Sequence, residues 1–194
     1  MIGKSRIEAF SDGVLAIIIT IMVLELKVPA GDDLTALMPL LPVFLSYVLS
    51  FAYVGIYWNN HHHMLHACKR VTGGVLLANL NLLFWLSLLP FATAWVGKNH
   101  FARMPGVLYG SILLASALAY WILQQVIIRA EGESSTLGRA VGRDWKGKAS
   151  LLAYTIAIAV TFVSPVASQM IYARVAFLWL IPDRRIETHL QKNS

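Results

Sequence analysis

Long apolar stretches dominate this chain, and they limit what it can fold into more than any other feature. A helix that crosses a membrane needs about 20 mostly apolar residues. Six stretches approach or reach that length: residues 7–26, 39–58, 72–96, 105–128, 149–163 and 167–181. Only 13% of the residues are charged, about half the share typical of soluble domains. The sequence therefore predicts an all-α integral membrane protein, with six transmembrane helices in a single domain over residues 1–194.

Lysine and arginine are distributed unevenly over the connections between these spans. With the N-terminus inside, the cytoplasmic segments carry twelve of the 16 basic residues, and the outer segments carry only Lys27, Lys98 and Arg103. Cytoplasmic loops are enriched in Lys and Arg, so we expect a multi-pass protein of the cell membrane with both termini in the cytoplasm. The net charge of +6 then reflects contact with anionic membrane lipids, and no nucleic-acid partner is expected.

The first span opens with polar residues that an ordinary membrane helix does not need. Arg6, Ser11 and Asp12 lie together there, and an ionised Asp at hydrocarbon depth costs about 2.5–3.5 kcal/mol. Such residues usually have a partner and often a role. Alternatively, Asp12 caps the first helical turn, although capping would not explain why the three residues occur together.

Farther along the first span, apolar side chains repeat at helical spacing. Ile17, Thr20, Ile21 and Leu24 follow an i, i+3, i+4, i+7 pattern, so they share one face of a helix. From spacing alone, the ordinary interpretation is a packing surface between helices.

Four histidines follow the end of the second span at Trp58: His61, His62, His63 and His66. Imidazole is a common metal ligand, but no acidic residue lies nearby in sequence to complete a site. We favour hydrogen bonding near the cytoplasmic surface, on the side of the membrane that holds Asp12. In the third span, Asn79 and Asn81 could bond across helices, and Pro90 could kink the span.

Sequence signatures of enzymes are missing from the chain. It contains no Gly-rich phosphate loop, no Gly-x-Ser-x-Gly and no His-Glu-x-x-His, the motifs that mark common nucleotide, hydrolase and zinc sites. We therefore predict no catalytic residues, no enzyme activity, no metal site and no cofactor.

The run Arg6-x-x-x-Phe10-Ser11-Asp12-Gly13 resembles the opening of the first span in prokaryotic members of the transmembrane protein 175 family. These are potassium channels related to the endolysosomal one. The resemblance covers nearly the whole chain. Its further segments are residues 57–62, Pro90-Phe91 and residues 179–183.

The resemblance implies a homotetramer without a pore loop, in which the first span of each chain lines a central pore. It implies a pore constriction at Ile17, continued by Ile21 and Leu24, with a hydroxyl layer at Thr20. The polar network that braces the first span would comprise Arg6, Phe10, Ser11, Asp12, Trp58, His61 and His62. The roles of His63 and His66 are not implied.

The resemblance also implies passive conduction of monovalent cations, with a preference for potassium that is expected to be weak, and with the permeant ion as the sole ligand. Three alternatives stay open on the residues themselves. One is a proton-coupled transporter that uses Asp12 and the histidines of residues 61–66. A second is a metal-dependent membrane enzyme that uses His61, His62 and His66. The third is a structural membrane protein that carries no flux.

Overall fold

The computed structural model describes residues 3–132, 137–138 and 144–180, and its long elements are all helices. They are α1 (Lys4–Leu24), a 3-10 helix (Leu34–Leu40), α2 (Leu41–Ala67), α3 (Gly73–Ser87), α4 (Leu89–Lys98), α5 (Arg103–Glu131), α6 (Trp145–Thr161) and α7 (Pro165–Leu180). The described part of the chain contains no strand. The prediction of an all-α protein is confirmed.

Four segments are long and apolar enough to cross a membrane: Lys4–Leu24, Leu34–Ala67, Gly73–Lys98 and Arg103–Glu131. Together they make the chain a multi-pass membrane protein. The two remaining helices are shorter, with 17 residues in α6 and 16 in α7. They pack against each other and against α5. The end of the last predicted span, residue 181, lies outside the described residues, as do Pro182 and Asp183.

Helix α2 extends well past the predicted end of the second span at Trp58. It continues to Ala67 and stops at Cys68, whose backbone is extended. Loss of apolar character marks where a helix leaves the hydrocarbon, but none of the residues from Asn59 to Ala67 is a helix breaker. The extension places His62 and His66 one turn apart on the same helical face.

The third predicted span is broken into two helices. α3 ends at Ser87 and α4 begins at Leu89, with Pro90 in its first turn. Proline has no N–H to donate to the carbonyl of Leu86, and its ring crowds the preceding turn. The Leu88 N–H bonds instead to the Trp85 carbonyl at 3.2 Å. The helix is therefore interrupted at Leu88 within this span.

Tyrosines fill the interior between α2, α5, α6 and α7. The Tyr53 hydroxyl donates to the Tyr172 carbonyl at 2.7 Å. Tyr109 and Thr93 both hydrogen-bond the hydroxyl of Ser50, at 3.0 Å and 2.7 Å. A buried tyrosine needs such a partner for its hydroxyl. These hydrogen bonds tie the interior helices together. Helix α1 packs on the outside of this group, against α2, α3 and α4.

Gly110 of α5 lies directly against the side chain of Tyr172 on α7, and this contact predicts a stability effect. A Cβ there would overlap the Tyr172 hydroxyl, and it would lie 2.7 Å from Cζ of that ring and 2.9 Å from Ile158 Cγ1. Because Tyr172 is fully buried, we expect Gly110→Ala to lower the free energy of unfolding by about 1–3 kcal/mol, typical of overpacking. Thermal unfolding in detergent measures the loss.

Gly55→Ala is the matched control for Gly110→Ala. Gly55 also lies within a helix, but a Cβ there would have no heavy atom within 4 Å. This control should keep or slightly raise Tm, because glycine is a poor helix former. An equal fall in Tm for both variants would show that close packing at Tyr172 is not the cause.

Candidate functional site

One face of α1 is left uncovered by the rest of the chain. Five residues at helical spacing form the opposite, buried face: Ile7, Ser11, Leu15, Ile18 and Met22. On the uncovered face the exposed fraction is 57% for Ile17, 46% for Ile21 and 80% for Leu24. Thr20 is exposed as well. We call these four residues the α1 stripe.

The α1 stripe is an apolar strip with one hydroxyl in it. At 1.5 Å per residue, it runs for about 10 Å along the helix. The Thr20 hydroxyl donates to the carbonyl of Ile17 at 2.9 Å, so its proton is used within the helix and its oxygen can still accept. Phe10, 54% exposed, extends this face toward the N-terminus. A strip of this kind can contact lipid, another chain or a water-filled passage.

The opposite face of α1 is joined to two other helices by a buried chain of polar groups. The Ser11 hydroxyl donates to the Ile7 carbonyl at 2.8 Å and accepts from Asn79 Nδ2 at 3.0 Å. Asn79 Oδ1 lies 2.7 Å from His61 Nε2. Since this amide oxygen can only accept, Nε2 carries the proton. All three side chains are at most 2% exposed, so α1, α2 and α3 are linked by hydrogen bonds shielded from water.

Asp12 has a partner of its own on the surface of α2. Its carboxylate accepts from Trp58 Nε1 at 3.0 Å. Because α1 begins at Lys4, Asp12 lies more than two turns into the helix, and the alternative that it caps the first turn is wrong. The carboxylate is stabilised by the indole N–H rather than by free backbone amides.

The Trp58 ring begins an aromatic stack that continues along the extension of α2. The centroids of Trp58 and His62 lie 6.2 Å apart, and those of His62 and His66 lie 6.3 Å apart, with the rings near parallel in both pairs. His63 meets the edge of His62 at 5.7 Å. The histidines therefore lie on different faces of α2, because His61 points inward to Asn79 whereas His62 and His66 are exposed.

At the N-terminal end of α1, Lys4 rather than Arg6 makes the contact to α2. The Lys4 ammonium donates to the His66 carbonyl at 2.6 Å and lies 3.9 Å from Glu8. Arg6 is exposed, and its side chain forms no hydrogen bond or ion pair within the described ranges. Its membership of the polar network stays a prediction.

Residues next to this region give no sign of a metal centre. Among the described residues, no group of three or more His, Cys, Asp or Glu side chains is arranged to hold an ion. Burial raises the pKa of the Cys68 thiol, and the nearby Glu131 carboxylate raises it further. This thiol is therefore protonated at neutral pH and is a poor metal ligand.

Comparison with known proteins identifies the family. The family model described as endosomal/lysosomal potassium channel TMEM175 matches residues 6–90. A potassium channel from Chryseobacterium sp. (strain P1-3) is 56% identical over 190 residues, covering 98% of this chain and 99% of the relative. The chain belongs to the TMEM175 family.

Other members of the TMEM175 family are similar in sequence or in fold. The crystal structure of a lysosomal potassium-selective channel TMEM175 homolog from Chamaesiphon minutus superposes with a TM-score of 0.81 at 29% identity, covering 92% of this chain and 96% of that one. The human endosomal/lysosomal proton channel TMEM175 is 35% identical over 116 residues, which cover 54% of this chain and 23% of the human protein. The family consists of ion channels, so the chain is a member of a cation-channel family and not an enzyme.

Sequence reasoning missed three features of this region. The sequence indicates Asn79 only as a general helix-to-helix contact, yet Asn79 is the centre of the buried polar chain. A signal for the inward position of His61 was present, because Tyr57 lies four residues before it and Leu65 four residues after it, at the spacing of one buried face. For Lys4 no comparable signal existed.

Proposed function

We propose that the chain is one subunit of a homotetrameric, potassium-preferring cation channel of the cell membrane, with six spans and both termini in the cytoplasm. In this proposal the α1 stripe of each copy faces a common axis. The observation that carries it is the exposure of Ile17, Ile21 and Leu24 on a helix whose other face is fully packed. The relatives named potassium channels support the choice of ion.

The proposed passage is narrowest at Ile17, without a pore loop. A bare cation cannot enter a dry apolar ring, since desolvation would cost tens of kcal/mol. The open ring must therefore admit water, and a small inward movement of α1 would expel that water and close the passage. The Thr20 oxygen supplies an acceptor one turn farther along. No cofactor takes part, and the permeant ion is the sole proposed ligand.

In this proposal the buried polar chain and the Asp12–Trp58 bond hold α1 at a defined rotation. Ser11 and Asn79 fix one side of the helix, and Asp12 and Trp58 fix another at a similar depth. A rotation of one residue, about 100°, would turn the α1 stripe away from the axis. Phe10 and Arg6 are assigned to the same supporting group, as are His61 and His62.

Reconstitution in a planar bilayer tests the proposal. With potassium on one side and sodium on the other, we expect unitary currents. Their reversal potential should depart from zero in the direction that shows a higher permeability for potassium than for sodium. Unitary currents with no displacement would remove the potassium preference but leave a cation channel. Saturable flux without unitary currents would contradict channel function altogether.

A proton-coupled transporter is the second candidate, and one observation favours it. Asp12, His62 and His66 are all exposed and are linked through Trp58, so titratable groups lie along one surface. The animal relatives named proton channels point toward the same ion. Against it, His61 is separated from this surface by its bond to Asn79. Flux of potassium that requires a pH gradient would support the transporter, whereas flux at equal pH supports the channel.

A further inference from the structure

The C-terminal end of α1 is joined to α4 by an ion pair between residues 73 positions apart. Lys98 Nζ lies 2.6 Å from Glu25 Oε2, and the side chains keep 50% and 38% of their exposure. Glu25 is the C-cap of α1, where the negative end of the helix dipole disfavours a carboxylate. The ammonium of Lys98 offsets that unfavourable position.

Lys98 is held at a fixed position because the end of α4 packs directly on α2. A Cβ on the neighbouring Gly97 would lie 2.6 Å from Ser46 Oγ and 2.7 Å from Val43 Cα. Only glycine permits this approach, and the two backbones have little room to shift. Lys98 is also the last residue of α4, where the helix dipole favours a cation. The backbone of Lys98 is therefore held in place by the packing of α4 on α2.

The end of α1, by contrast, has little other support. Met22 is its last buried residue, with the Thr93 hydroxyl 3.9 Å from its sulfur. Val23 and Leu24 are 42% and 80% exposed. Among the described residues, no other ion pair joins α1 to another helix. The Glu25–Lys98 pair is therefore the main restraint on the last turn of α1.

The ion pair lies on the packed side of α1. Glu25 follows Ile7 by 18 residues, about five turns, so it is on the same side as the buried residues and away from the α1 stripe. Attraction to Lys98 draws this end of α1 toward its own chain. If the pair is lost, the last turn can move away from the packed residues, toward the exposed side of α1 on which Leu24 lies.

We propose that the Glu25–Lys98 pair holds the end of α1 back from the channel axis and so favours the open pore. This regulation rests on the proposed function, in which the α1 stripe lines the passage. Without the pair, the Leu24 side chains approach one another and the passage loses water. Glu25 and Lys98 are positioning residues that contact no ion.

A charge-reversal cycle in reconstituted channels tests this role. Glu25→Lys and Lys98→Glu should each lower the ratio of open to closed time by about two- to fivefold per chain, as expected for a partly exposed ion pair. The double variant, with both charges exchanged, should restore the ratio. Unitary conductance and the permeability ratio should stay unchanged in every variant, because the constriction at Ile17 is intact. If the Glu25→Lys variant does not assemble, Glu25→Gln replaces it in the experiment, because it also removes the ion pair.

Lys27→Glu is the matched control. Lys27 lies two residues after Glu25, is exposed, and has no ion-pair partner among the described residues. It undergoes the same charge change as Lys98→Glu, so it reports any general effect of surface charge. We expect its open-to-closed ratio to equal that of the wild type.

Three results would overturn the inference: single variants that gate like the wild type, a double variant no better than the weaker single variant, or a Lys27→Glu effect as large as that of Lys98→Glu. Suppose that the wild type conducts, that the Ile17→Asn variant loses selectivity, and that one of these three results is also found. In that case the inference about the Glu25–Lys98 pair fails, but the proposed function stands. A wild type that carries no cation current removes the proposed function and the inference together.

Discussion

Ile17→Asn is expected to bring the potassium-to-sodium permeability ratio to about 1 and to increase the current at rest. An amide at the constriction keeps water bound where an isoleucine ring would dry out, so the passage stays wet and hydrated ions of either kind pass. The 57% exposure of Ile17 on α1 means that the change does not disturb the packed core. The reversal potential under potassium and sodium gradients measures the ratio.

Two controls accompany Ile17→Asn. Ile17→Val keeps the position apolar, and it should preserve both closure and the permeability ratio. Ile122→Asn makes the same chemical change on α5 at a similarly exposed isoleucine, and it should leave the ratio unaltered. A normal ratio in Ile17→Asn channels would exclude this residue from the filter.

Asn79→Leu is expected to be the most damaging change in the polar chain. The Nε2 proton of His61 would lose its acceptor, and Ser11 would lose a donor. An unpaired polar group in a buried site costs about 1–3 kcal/mol, so we expect a lower Tm in detergent together with reduced potassium current. The current falls because α1 is no longer held at a fixed rotation.

Asn81→Leu provides the matched comparison for Asn79→Leu. Asn81 is two residues away on α3 but is exposed, so the same substitution should leave Tm and current near wild-type values. Adding His61→Leu to Asn79→Leu should recover part of the lost stability, because both partners of the broken bond are then apolar. Equal effects of Asn79→Leu and Asn81→Leu would contradict a special role for the buried chain.

The helical membrane class of this protein could be predicted from the sequence, since it depends on a local property. Long runs of apolar residues need lipid or protein around them wherever they lie, and only helices satisfy their backbone groups within one segment. The break at Pro90 could be anticipated for a similar reason, because proline acts on its own turn. The end of α2 could not, since hydropathy falls at Trp58 while the helix continues to Ala67.

The arrangement around α1 could be predicted only in part. Resemblance to a family groups Ser11, Asp12 and Trp58 on the strength of their motifs. It does not distinguish His61 from His62, because neighbours on a helix point about 100° apart and the buried side depends on what packs there. The resemblance also does not indicate that Lys4, rather than Arg6, contacts α2. The contact of Lys4 with the carbonyl of His66 depends on where α2 ends.

The sequence by itself determined the helical membrane class, the apolar repeat on the first helix and the family. Tertiary structure decided which polar groups meet: Asn79 with Ser11 and His61, Asp12 with Trp58, and Glu25 with Lys98. The physical reason is the distance along the chain over which each property is set. Hydropathy and helical spacing are summed over a few turns of one segment, whereas these contacts depend on the rotation and depth of helices up to 73 residues apart, which only packing of the whole bundle sets.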